Sequence, residues 1–186
     1  MAGGIFGRLR AIAAAAASGA AGPPRELFVD EDEYGEIEVL PVANVDWCRA
    51  ELRKIAAFAE AHEVPDGLGW TDIYMRPPAP RRLADLKIPL APILAALRER
   101  LAPFDRVTSG SFHAPEPIAT AHAFGSSPLN AIVVIANADA GTVQSILLVL
   151  REDGNAAADL MAALKTLPSS EPLIVIDWAR GGLVQI

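Results

Sequence analysis

The sequence predicts an α+β fold: a single domain with a mixed, largely antiparallel sheet and about three helices, preceded by a flexible N-terminal tail. Three observations predict it. The length of 186 residues fits one domain. Helical and strand periodicities alternate early in the chain, whereas strands follow one another directly in the second half. A doubly wound parallel sheet would need a helix between successive strands. Lastly, residues 1–25 carry Arg8, Arg10 and Arg25 and no acid, and they close on Gly22-Pro23-Pro24, which ends any helix before the folded unit.

The tail (1–25) thus stands apart from a domain of residues 26–186. It has three readings. A signal peptide would need a hydrophobic middle, and the stretch Ala11–Ala17 is nearly all alanine. A membrane-surface helix through residues 5–17 would present Ile5, Leu9, Ile12 and Ala16 on one face, with Phe6 beside them. The third reading, a dispensable tail, needs neither and is preferred.

Within the domain, Glu26, Asp30, Glu31, Asp32, Glu33, Glu36 and Glu38 make a solvated acidic entry to the first strand. Residues 30–36 brush against a calcium-loop pattern. Tyr34 at its fifth position and Pro41 at its twelfth exclude that loop. Residues 36–40 alternate acid and apolar, a half-exposed strand. Asn44 suits a helix cap, and Val45, Cys48, Leu52, Ile55, Ala59 and His62 form a stripe in steps of three and four behind it. Residues 63–70 are a loop. Thr71–Met75 alternates and predicts a second strand, while three prolines keep residues 76–82 extended.

A second helix starts near Pro89 or Pro92, buries Leu90, Ile93, Leu94, Leu97 and Leu101, and stops at Pro103. Phe104–Thr108 is a third strand, residues 109–118 a loop, and Ala119–Phe124 a strand packed closely on its small-residue side. Ala131–Ala136 and Ser145–Leu150 are unbroken apolar runs joined by turn chemistry. They predict a hairpin of central strands covered on both faces. Residues 153–155 cap a third helix with Leu160, Met161, Leu164 and Leu167 inward. Leu173–Trp178 and Leu183–Ile186 form a second hairpin across Gly181-Gly182.

Charge and composition exclude several function classes. Acids outnumber bases 23 to 16, for a net charge of −7, and the 161 residues after the tail hold 13 bases against 23 acids. Nucleic-acid phosphate is therefore not the expected partner. A single cysteine allows neither an intramolecular disulfide nor a cysteine-only zinc site. No apolar run approaches the roughly 18–20 residues of a membrane span. The 35 alanines, and arginine over lysine by 13 to 3, point to a GC-rich bacterial genome. Phosphate-loop, nucleophile-elbow and H-E-x-x-H motifs do not occur. Gly67-Leu68-Gly69 opens a dinucleotide fingerprint, but Asp72 takes the third glycine's place. Neither a cofactor nor a metal is expected.

Cys48 and His62 both lie on the helical stripe and read as structural. His113, in a loop, and His122, on a strand, are the candidate proton carriers. Asp72 or Asp177 would complete a general acid–base pair with them. The densest cluster of special residues is Trp70, Asp72, Tyr74 and Arg76. On a strand the last three share a face, and Tyr, Trp and Arg favour binding surfaces. A purely structural Asp72–Arg76 pair with Tyr74 packed between would use the same residues. Taken together, these features predict a non-enzymatic, cytoplasmic protein-binding or regulatory protein with an acidic surface suited to a basic protein partner, a toxin-neutralising protein being one concrete version by analogy of size and charge. The alternatives are a small His/Asp enzyme and a peripheral membrane protein attached through residues 5–17.

Overall fold

A computed structural model describes residues 23–30, 33–64, 69–111, 113–139, 141–152 and 154–186. The proposed membrane helix through residues 5–17 lies outside them. Among the described residues, nine strands and three α-helices follow in the order β1 (Glu26–Val29), β2 (Ile37–Pro41), α1 (Val45–His62), α2 (Leu90–Arg98), β3 (Arg106–Ser111), β4 (Ala114–Pro117), β5 (Ala121–Ser127), β6 (Asn130–Ala136), β7 (Val143–Leu150), α3 (Asn155–Leu164), β8 (Leu173–Asp177) and β9 (Gly182–Gln185).

Six strands form one antiparallel sheet, ordered β5-β6-β7-β2-β8-β9. A smaller mixed sheet, ordered β1-β3-β4, has β1 parallel to β3. The α+β class therefore holds, with the strands divided between two sheets. β6 and β7 are buried on both faces, as unbroken apolar runs require. Gly125 in β5 leaves no room for a side chain, since a Cβ there would lie 2.2 Å from the Asn130 carbonyl oxygen.

The large sheet has two unlike faces. On the first, Ile37, Val39, Phe124, Ile132, Val134, Ile146, Leu148 and Val175 share one core with Ile93 and Leu97 of α2 and Leu160 and Leu164 of α3. The second face carries two separate clusters. Leu27 and Val29 of the small sheet cover Ala123, Ala131, Val133, Leu147 and Val149 at one end. At the other, α1 covers Leu40, Ile174, Ile176 and Trp178 through Cys48 and its half-buried neighbours. Glu38 pairs with Leu147 across the β2–β7 ladder, so its side chain belongs to this second face.

Several expectations need correction. The acidic entry contains a strand, β1, whose Leu27 and Val29 are fully buried, and Glu33 beyond it grips Arg151 with both oxygens at 2.6 and 2.5 Å. β2 is central rather than half exposed. Its alternating acid, Glu38, is accommodated because it has partners of its own. The loop expected at 109–118 contains β4, a fully exposed edge strand. The strand expected at 71–75 does not form: the segment is extended but joins no ladder. Asn44 occupies the cap position of α1 without bonding its amides. Its side chain instead clamps Arg81, donating to the carbonyl at 2.7 Å and accepting from the N–H at 3.2 Å.

Candidate functional site

Residues 70–82 form a strap that runs back along α1. An isolated bridge between Glu63 and Trp70 starts it, and the Thr71 N–H donates to the His62 carbonyl at 2.8 Å. The Asn44 clamp on Arg81 ends it. Between these points the side chains alternate in role. Tyr74 turns inward, packs on Phe58 with ring centres 5.4 Å apart, and donates its hydroxyl to Glu51 Oε2 at 2.8 Å. Arg76 also turns inward and lies over the Trp178 ring, 4.1 Å from its centre. Its Nη2 sits 3.0 Å from Glu38 Oε1, the same oxygen that accepts the Trp178 indole N–H at 2.8 Å.

The two carboxylates that hold the strap differ in setting. Glu51 is only 1% exposed, and Lys54 Nζ donates to its second oxygen at 2.5 Å. The bonds from Lys54 and Tyr74 hold the Glu51 carboxyl below the usual carboxylate range, while Glu51 in turn raises both the Lys54 ammonium and the Tyr74 phenol. Glu38 belongs to a strand, and burial, with the Glu38 charge adding to it, pushes the nearby Cys48 thiol up to about 11. Such a thiol stays protonated and unreactive at neutral pH.

The residues between these anchors face solvent. Ile73 is 79% and Met75 83% exposed, and Trp70 is 65% exposed. Six large apolar side chains stand exposed among the described residues, and these three fall within six positions. Asp72 also faces out, and its Oδ1 accepts the Ile73 N–H at 2.8 Å. Of the four residues singled out in this segment, Tyr74 and Arg76 are therefore the anchors and Trp70 and Asp72 the exposed members. Arg76 takes Glu38 as its carboxylate, so no Asp72–Arg76 pair forms.

The histidine and aspartate candidates occupy different parts of the fold. His122, on β5, is half-buried on the first face, where burial and the Arg98 charge lower its pKa. Asp177 closes β8 and accepts the Arg180 N–H at 2.8 Å. Four strand spacings separate β5 from β8, or about 19 Å at the usual 4.8 Å per strand. His113 sits at the β3–β4 turn of the small sheet, and Asp72 on the strap. His62 ends α1, stacks on Phe58 and meets Thr71 Oγ1 at 3.1 Å. Among the described residues, no three His, Cys, Asp or Glu gather to hold a metal ion, and no helix is long and apolar enough to cross a membrane.

No family model, no curated protein and no solved structure matches the chain. The site is accordingly read from its own chemistry. Sequence reasoning missed Glu38 and Glu51, the two acids that position the strap. Glu51 carried a signal: it lies three residues after Cys48, beside the apolar stripe, where a carboxylate requires partners. A cleft of about 620 Å³ opens beside the strap, lined by Arg76, Pro77, Pro78 and Arg82 and by Glu38 of β2 and Ser145 of β7. Its lining mixes polar side chains with apolar ones such as Leu83, whereas the strap itself presents Trp70, Ile73 and Met75 as large exposed apolar side chains.

Proposed function

We propose that the protein is a bacterial, cytoplasmic binding or regulatory module without catalytic activity, and that it engages a basic protein partner through the strap. One observation carries this reading: Trp70, Ile73 and Met75 are exposed on a segment whose alternate side chains, Tyr74 and Arg76, are fastened inward. Exposed apolar side chains normally cost nothing when scattered singly, but a cluster marks an interaction surface. Fastening reduces the conformational entropy lost when a partner binds, so contacts at Ile73 and Met75 convert more fully into affinity. The excess of 23 acids over 16 bases supports a basic partner, whose approach long-range charge would speed. An unpaired Cys48 thiol suits a reducing compartment.

The test is the double variant Ile73→Asp/Met75→Asp. Both positions are exposed, so its melting temperature should stay near that of the parent. Quantitative affinity capture at low salt should enrich a basic protein on the parent at least about tenfold over the variant. The purified pair should then reproduce that difference. A parent and variant that retain the same proteins equally would overturn the reading.

A further inference from the structure

The four outer strands of the two sheets are protected very unequally. β5 is covered along its free side: the Phe104 N–H donates to Ala123 and the Gly125 N–H to Ala102, at 2.9 and 3.0 Å. β4 is blunted by Pro115, Glu116 and Pro117, residues that discourage strand addition. At β1, Arg151 donates to the Phe28 carbonyl at 3.0 Å while holding Glu33. β9 differs from all three. Its sequence, Gly182-Leu183-Val184-Gln185, contains neither a charge nor a proline, and among the described residues no strand pairs with its outer side.

The register of β9 on β8 shows which of its backbone groups are open. The Ile186 N–H donates to the Leu173 carbonyl, which makes that pair a hydrogen-bonded one. Antiparallel pairs alternate, so Val184–Val175 and Gly182–Asp177 are hydrogen-bonded as well. Leu183 and Gln185 therefore direct their N–H and C=O groups away from β8, toward the open edge. Only an extended polypeptide can satisfy two donors and two acceptors at that spacing.

We propose that this edge pairs with β9 of a second copy of the chain, antiparallel about a two-fold axis at Val184. That register sets Leu183 opposite Gln185 of the second copy and Gln185 opposite its Leu183. All four open groups on each strand then find partners, in four hydrogen bonds. Moving the axis to Leu183 would leave Gln185 facing residue 181, in the turn beyond β9.

The side chains agree with the same axis. Val184, 50% exposed, would meet its own copy at the close, non-hydrogen-bonded position, where β-branched pairs contribute most. Ile186, which already packs against the first-face core, would lie opposite Gly182 of the second copy, where no side chain obstructs it. The two six-stranded sheets would become one, and no like charges would oppose each other within the pairing strands. The net charge of −7 on each copy still repels at long range, so added salt should tighten the dimer. The strap takes no part in this contact.

Sedimentation of the full chain should give a mass twice 19.6 kDa at high protein concentration. Gln185→Pro removes an N–H that β8 does not use, and should weaken the dimer about thirtyfold or more. Val184→Cys should form an inter-copy disulfide on mild oxidation, because a non-hydrogen-bonded pair sits about 4.5 Å apart between Cα atoms. Leu129→Cys, exposed on the β5–β6 turn, should remain unlinked. A chain that stays monomeric together with an unlinked Val184→Cys overturns the proposal. So does a dimer that survives Gln185→Pro, or one lost in Ile73→Asp/Met75→Asp instead, which would place the contact on the strap.

Discussion

The two faces of the six-stranded sheet solve the same problem differently. The first face buries one continuous apolar core beneath α2 and α3, with half-buried His122 at its β5 edge. The second face is divided between the small sheet and α1, and polar groups occupy the interval: Glu38 on β2, with Arg76 and Trp178 gathered around it. A continuous apolar face holds the molecule together without specifying much. The divided face fixes a particular segment, the strap, in a particular register, because its inward side chains find matching acceptors: Glu51 for Tyr74, and Glu38 with the Gly35 carbonyl for Arg76. The difference teaches that the continuous core and the anchored strap are assigned to opposite sides of one sheet.

The largest expected effect separates the two cores. Leu97 of α2 is fully buried in the continuous core, whereas Leu40 of β2 belongs to the smaller cluster under α1. Leucine-to-alanine changes in cores cost about 2–5 kcal/mol, and more where the surroundings cannot collapse into the space. Leu97→Ala should fall near the top of that range and Leu40→Ala near the bottom, read as shifts in the urea midpoint. Equal shifts would show that the division of the second face has no energetic meaning.

A smaller effect concerns the polar interval itself. Glu38→Ala removes the shared acceptor of Arg76 and the Trp178 indole, leaving a buried N–H without its partner at a cost of about 1–3 kcal/mol. The same change should release the strap, so hydrogen exchange should accelerate at residues 73–80 more than in β6 or β7. Uniform exchange across the molecule would separate Glu38 from the strap and break the link between the divided face and the proposed binding surface.

Much of the first face was legible in the sequence, because burial on one continuous surface leaves a periodic trace. The runs at 131–136 and 145–150 and the stripes of α2 and α3 follow from residue spacing alone. The second face was harder, for identifiable reasons. Leu27 and Val29 alternate correctly for β1, but the acids around them read as solvated chain. Pro115 and Pro117 hid β4, since proline survives only on an edge. The alternation at 71–76 was genuine and its direction misleading: Tyr74 and Arg76 turn inward while Ile73 and Met75 face out. A lone extended segment obeys its anchors rather than hydrophobicity, and those anchors, Glu38 and Glu51, lie more than twenty residues away in the chain. No local pattern contains a contact of that separation.

The smallest effect is confined to acid and isolates Glu51. Its carboxyl titrates below the usual range when folded, through the bonds from Lys54 and Tyr74, so the unfolded chain binds this proton more readily. The stabilisation is complete above the ordinary glutamate pKa of about 4.3 and disappears as pH falls through the lower folded value. Lys54 and Tyr74 are shifted upward, and their share is lost only as pH rises through their own folded values, far from this window. Glu51→Gln keeps the shape of the side chain and an acceptor for Tyr74 but removes the titration. Its urea midpoint should therefore lie below that of the parent at neutral pH, with the gap closing as pH falls below about 4. Tyr74→Phe serves as the comparison, since it removes one of the two bonds that lower the Glu51 carboxyl. Should its stability fall over the same acid range by the same amount as the parent's, the acid response would belong to the Lys54 bond alone rather than to the bond that fastens Tyr74.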